Sequence, residues 1–212
     1  MSGPFENSRL ILESSDIEGG SIHWRSPSNI ALVKYWGKKG NQIPANPSIS
    51  FTLDRAYTET KLSWKGRSSS DTSPVDLSFT FEGQEDHPFG ERVEGYLESL
   101  LEIFPFIRQL ELDIETSNSF PHSSGIASSA SSMSALALCL CSMEYELFGN
   151  LEDDEEFRRK ASYVARLGSG SACRSIYPAA ALWGQAGEVD ASSDDYAIPM
   201  KDRLHRDLRS IH

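Results

Sequence analysis

Cysteine is scarce in this 212-residue sequence, with three in all. Cys139 and Cys141 lie two apart in a run of helical character, where their side chains leave on different faces. No bridge and no metal site is readable from that spacing, and the thiols read as reduced, small apolar residues of a cytoplasmic protein. Long apolar runs are missing as well. The longest, "ALALCLC", is far below the roughly 20 residues that span a bilayer. The opening "MSGPFENSRLILESSD" lacks a basic stretch followed by an apolar one, so no secretory signal is expected. Basic residues are in deficit too: 20 Lys and Arg against 31 Asp and Glu leave a net charge of −11. Nucleic acids and anionic membranes bind through clustered Lys and Arg that displace counterions. Neither is an expected partner, and an anionic ligand must meet positive charge concentrated locally.

What is present is an ordinary globular composition. Hydrophobic residues make up 39%, enough for a packed core. A chain of this size hides roughly 70% of the surface its unfolded form exposes, so it needs no staple. Residues 21–36, 48–54, 58–66, 75–83 and 110–117 alternate as strands, and 67–74 reads as a turn. A helix is expected over 88–104, another from Gly125 with Ile126, Ala130, Met133, Ala137 and Leu140 on one stripe, and a third over 153–167. The third opens on an acidic run that suits the positive end of a helix dipole better than an acidic ligand site. The pattern is α+β with a mostly antiparallel sheet.

Three stretches carry chemistry. The first, "NSFPHSSGIASSASSMSALAL", runs from a strand through Pro121, Ser123, Ser124 and Gly125 into a helix that holds Ile126, Ala127, Ser128 and Ser129 in its approach. Unpaired N–H groups, a positive dipole end and small residues make a phosphate cradle. The same residues also suit a helix packed tightly on a sheet. No Gly-Lys-Ser/Thr follows, so it is not a Walker A loop. The second, "NIALVKYWGKKGNQIPANPSISF", gathers Lys34, Tyr35, Gly37 and Lys38 into a cationic, hydrogen-bonding cluster, and Trp36 between them reads more readily as packing than as a stacking platform. The third, "RLGSGSACRS", spans residues 166–175. It reads as a loop that buries little apolar surface and leaves backbone N–H groups accessible, although alone it could equally be a helix C-cap. Gly168 and Gly170 read as admitting backbone geometry closed to other residues. Ser169 and Ser171 add hydroxyls beside Ala172 and Cys173, and Arg174 adds a planar fork for carboxylate or phosphate.

Together, "NIALVKYWGKK", "FPHSSGIASSAS" and "RLGSGSACRS" resemble the diphosphomevalonate decarboxylases of the GHMP kinase superfamily, in the family's order, over residues 21 to 185. The resemblance implies an N-terminal domain like the second domain of ribosomal protein S5, joined to a C-terminal α+β domain. Residues 1–20 are then an extension, 21–190 the nucleotide- and substrate-binding domain, and 191–212 the start of a linker or second domain. It implies ATP and Mg²⁺, mevalonate 5-diphosphate as substrate, isopentenyl diphosphate as product, and a homodimer. Carried over by motif, Lys34 and Arg174 are catalytic. Tyr35, Trp36, Gly37, Lys38 and the 169–174 segment hold substrate, Pro121 to Ser129 embrace ATP, and Ser128 touches the metal. Some positions depart from the family: "IYPAAALWG" replaces a Gly-Gly turn, His122 stands where Thr is common, and Gly40 where an acid is. A GHMP-type small-molecule kinase, a decarboxylase of mevalonate 5-phosphate and a non-enzymatic anion-binding module therefore stay open. The family's catalytic aspartate belongs to a glycine- and proline-bearing motif not found in these residues. The 212 residues alone are expected to bind ATP weakly without decarboxylating.

Overall fold

The computed structural model describes residues 3–13, 17–40, 42–68, 73–121 and 128–200. The strand alternation expected over the first third becomes two long antiparallel strands. β1 (Gly20–Val33) leads into a small hairpin, β2 (Lys38–Lys39) and β3 (Ile43–Pro44), and the chain returns along β4 (Ser48–Gly66). The segments 48–54 and 58–66 are thus one strand of 19 residues, because no Gly or Pro interrupts the extended backbone between them. β5 (Asp76–Phe81) and the short β6 (Gln84–Glu85) precede helix α1 (His87–Ser99), and β7 (Leu110–Asn118) follows it. β5 and β7 pair in parallel, which the intervening α1 permits as a crossover. Every other pairing is antiparallel.

Helix α2 (Ser128–Phe148) packs on β1 and β4, with α3 (Asp154–Gly168) against it. Every residue from Ala130 to Cys141 is buried, so the single stripe expected for α2 is replaced by burial all round. The sheet covers one side, and α3 and the residues after it cover the other. Asp153 caps α3 by accepting from the Glu156 N–H at 2.8 Å, and Asp154, Glu155 and Glu156 fill its first turn. The acidic run is a helix start, as its composition indicated.

The sheet ends with two short strands, β8 (Ala180–Trp183) and β9 (Ala197–Pro199), in the order β6-β5-β7-β4-β8-β9, with β1 on β4. β9 joins the same sheet beyond the expected boundary at 190. The first residues are equally tied in: Leu10 is buried in the core, and the Gln109 side chain bonds both backbone groups of Leu12. Strand alternation then divides β4 between two environments. Ile49 and Phe51 meet Leu182, Ala180 and Ile198 on one face, and Ser48 and Ser50 are buried on the other. That second face holds the third motif.

Candidate nucleotide cleft and anion site

The glycine-serine run after α3 is not an exposed loop. Gly170–Ile176 is a 3₁₀ turn in which Gly170 and Ala172 to Ile176 are buried and Ser171 half-buried. Its glycines serve close approach, since neither Gly168 nor Gly170 has positive φ. A Cβ on Gly168 would sit 2.8 Å from Met133 Sδ and 2.9 Å from the Tyr96 ring, and one on Gly170 would sit 2.9 Å from the Trp183 ring. Small residues let the turn pass between α2 and the sheet. Composition suggested solvent, and packing decided otherwise.

Arg174 is carried inward by this turn and is 2% exposed. Its Nε donates to Ser50 Oγ at 2.9 Å, Nη1 to Ser48 Oγ at 2.6 Å and Nη2 to Asn29 Oδ1 at 3.4 Å. All three acceptors are neutral. Among the described residues no carboxylate pairs with it, and burial lowers its pKa from the ordinary arginine value while Arg keeps its charge. Two of the five N–H bonds of the fork have no acceptor among the described residues. Asn29 is itself fixed, its Nδ2 donating to Ser175 Oγ at 2.8 Å and to the Ser171 carbonyl at 3.1 Å. A buried, hydrogen-bonded cation without a counter-ion is prepared for an anion.

The second motif closes over that cation. Tyr35 meets Trp183 edge-on at 5.0 Å between centroids. The Arg174 guanidinium and Lys38 Nζ each lie 5.9 Å from the centre of the Tyr35 ring. Asn46 shapes the turn by accepting from the Trp36 N–H at 2.6 Å and donating to the Lys34 carbonyl at 3.1 Å. Gly37 takes φ +87°, which a side chain would strain. Lys34 and Lys38 are exposed. Trp36 is 83% exposed, so it is no packing residue among the described ones. The Tyr35 ring thus lies near both the exposed Lys38 and the buried Arg174, with Lys34, Trp36 and Gly37 exposed beside it.

The first motif lines a separate cleft of about 530 Å³. Its polar lining is Asn118, Ser128, Ser129 and Ser132 with Asp86, Arg92 and Ser99, and Phe81, Phe89, Tyr96 and Met133 are among its apolar walls. Ser128 opens α2, whose first-turn N–H groups have no helical partner. The serines divide by role: Ser128 and Ser129 reach the cleft, whereas Ser131 and Ser134 are fully buried, bonded to Thr58 and Ser26. The start of α2 thus opens on the cleft, while its next turn is packed against the sheet. Pro121 is exposed three residues after the end of β7 and is not among the residues lining the cleft, while Ser123, Ser124, Gly125, Ile126 and Ala127 lie outside the described residues. Gly168 lines the cleft and Arg174 ends the same segment, so residues 168–174 join the two sites.

A family model described as the diphosphomevalonate decarboxylase-like N-terminal domain matches residues 26–197. The chain belongs to that family. The Ganoderma lucidum diphosphomevalonate decarboxylase is 32% identical over 198 residues, covering 85% of this chain and 45% of the relative. The mevalonate diphosphate decarboxylase of Staphylococcus aureus superposes with a TM-score of 0.67 at 33% identity, covering 86% of this chain and 50% of that one. A structure of MDDEF in complex with MVAPP, AMPPCP and magnesium superposes at 0.65 with 30% identity, covering 87% and 52%. The chain spans about half the length of the family relatives it matches. The α+β fold of the family's N-terminal portion is thereby established.

Asn29, Ser48, Ser50 and Asn118 escaped the sequence reading. Ser48 and Ser50 carried a signal, since two small hydroxyls at alternate positions of an otherwise apolar strand segment face one side together. The three cysteines are free and buried, and burial pushes the Cys139 and Cys173 thiols up to about 12. They act as small apolar groups. Among the described residues no helix is long and apolar enough to cross a membrane.

Proposed function

We propose that this chain supplies the nucleotide- and substrate-binding half of an ATP-dependent diphosphomevalonate decarboxylase. The observation that carries the reading is the buried Arg174 cation, held by Ser48, Ser50 and Asn29 and lacking a carboxylate partner among the described residues. A substrate with a carboxylate at one end and a diphosphate at the other suits a buried arginine and exposed lysines that share Tyr35 as a neighbour. ATP occupies the cleft, its phosphates toward Ser128 and Ser129. Mg²⁺ fits there as a phosphate-borne ion, because it takes one or two protein oxygens and completes its shell from phosphates and water. When bound it neutralises phosphate charge; Ser128 is the hydroxyl that would hold it. Cytoplasmic residence and a homodimer complete the proposal.

The chemistry explains this arrangement. Transfer of the γ-phosphoryl to the tertiary 3-hydroxyl, whose proton passes to the aspartate of the family motif not found in these residues, makes a leaving group and yields ADP. The C3–O bond then breaks with its electron pair leaving on phosphate, and the carboxylate C–C pair becomes the new double bond as CO₂ departs. Arg174 orients that carboxylate, and Tyr35 and Lys38 hold the diphosphate with Lys34 nearby. Two phosphate charges about 4 Å apart repel by several kcal/mol at an effective dielectric near 20, so these cations are required.

The test is release of CO₂ with ADP from carboxyl-labelled mevalonate 5-diphosphate. It is measured on this chain and on a relative in which residues 26–197 replace the corresponding half. ADP without CO₂ would make the protein a kinase, and neither product nor ligand binding would refute the proposal. Lys38→Met is expected to weaken mevalonate 5-diphosphate binding about tenfold at low salt and to flatten its salt dependence. Calorimetry across salt concentrations checks this, and unchanged slopes would make Lys38 a solvated surface residue.

A further inference from the structure

The anion site is closed. Arg174 is 2% exposed, so an anion meets the unbonded N–H groups of its fork only after something moves. The guanidinium is bonded to Asn29, Ser48 and Ser50 and lies 5.9 and 5.8 Å from the centres of the Tyr35 and Trp183 rings. All of these but Tyr35 sit on β1, β4 and β8, strands of the main sheet. Tyr35 belongs to the segment that leaves β1 and turns back through β2 and β3. Those two strands make a small sheet of their own, pairing Lys38 with Pro44 and Lys39 with Ile43. Gln42 ties this hairpin to the core. Its Oε1 lies 3.3 Å from the point where a Cβ on Gly170 would stand, and the Trp183 ring lies 2.9 Å from the same point.

That contact is a poor one. Gln42 Oε1 is buried without a hydrogen-bond partner among the described residues, so it has given up water and gained no donor. The Gln42 backbone also takes φ +60°, a left-handed conformation unfavourable to a residue with a side chain. The closed hairpin bears both costs, and lifting Gln42 from Gly170 returns Oε1 to water. We propose that the β2–β3 hairpin is a gate over the anion site, latched by Gln42 against Gly170 and Trp183 and opening to admit the anion. The inference rests on the reading of Arg174 as an anion site and adds how that site is reached. A ligand that binds only the open form associates in proportion to the open fraction, so the strength of the latch sets the rate of entry.

The test is the rate at which phenylglyoxal modifies Arg174 in the ligand-free chain, followed by peptide mass spectrometry at low extents of reaction, since the reagent needs an accessible guanidinium. Gln42→Met keeps the length of the side chain and removes the unpartnered oxygen, so the gate should stay shut longer and modification should slow about tenfold. Gln42→Gly removes the latch and accepts the left-handed backbone, and modification should quicken about tenfold. Arg166, whose side chain is 3% exposed and paired with Asp195, reports opening of the whole fold and should keep its rate in both variants. Stopped-flow association of mevalonate 5-diphosphate should follow the same order, slower in Gln42→Met and faster in Gln42→Gly. Equal Arg174 rates in the three proteins, a reversed order, or rates that move in step with Arg166 overturn the gate. Arg174 rates in the expected order from a chain that binds no mevalonate 5-diphosphate leave the gate standing and overturn the substrate reading.

Discussion

Arg174→Met is expected to abolish substrate recognition and to raise the melting temperature. The first effect follows from the assignment of the guanidinium to the carboxylate. A buried charged donor removed from an ionic ligand costs about 2–5 kcal/mol, so mevalonate 5-diphosphate should bind at least about 30-fold more weakly. AMPPCP affinity should stay within about twofold, because the cleft's lining does not include Arg174. The second effect follows from what the arginine lacks. A cation 2% exposed and held only by Ser48, Ser50 and Asn29 forfeits its hydration without a counter-charge among the described residues. Met replaces it with apolar volume beside Tyr35 and Trp183, and Ser48 Oγ already lies 3.4 Å from the Trp183 carbonyl as an alternative acceptor. A gain of about 1–2 kcal/mol, or roughly 3–6 °C, is expected. Stability given up at a ligand site is the signature of function. A melting temperature that falls by several degrees with substrate affinity intact would reduce Arg174 to a structural residue.

The same residue shows where sequence reading ends. Its type and its motif are visible in "GSGSACRS", and the fork was assigned to an anion on that basis. Its environment is not, because the acceptors Ser50, Ser48 and Asn29 lie 124, 126 and 145 positions away and meet it only through the register of β1, β4 and the 3₁₀ turn. Local composition even misled. Glycine and serine read as an exposed loop, yet small side chains are also what a segment needs to pass between a helix and a sheet, as the contacts of Gly168 and Gly170 show. Trp36 misled in the opposite sense, since a large aromatic reads as core and here it is exposed. Strands and helices with clear periodicity and caps were legible to within a few residues. β8 and β9 were not, being four and three residues long, too short for a period to appear.

Lys160→Met is expected to be among the most destabilising single changes in the chain. Lys160 and Glu144 form an ion pair whose side chains are 4% and 2% exposed, linking α3 to α2. Asn150 Nδ2 donates to the other oxygen of Glu144 at 2.7 Å, and the Lys160 ammonium lies 4.9 Å from the centre of the Phe104 ring. Removing the lysine leaves a carboxylate buried with one neutral partner, which costs about 3–5 kcal/mol, or roughly 10 °C in a protein of this size. The desolvation of both charges is already paid in the native protein, so removing both together is far milder. Lys160→Met with Glu144→Leu should recover most of the loss, to within about 1 kcal/mol of wild type. Urea denaturation of the two single variants and the double variant measures this coupling, and the loss should persist at high salt because a buried pair is poorly screened. The consequence reaches the cleft. Ser128 begins α2 and Gly168 ends α3, and both line it, so the pair fixes the helices that carry two of its walls. The double variant should therefore keep AMPPCP affinity if apolar packing holds the helices equally well. If stability returns and affinity does not, the ion pair sets the angle between α2 and α3 as well as their cohesion; if Lys160→Met alone costs less than about 1 kcal/mol, the pair contributes neither.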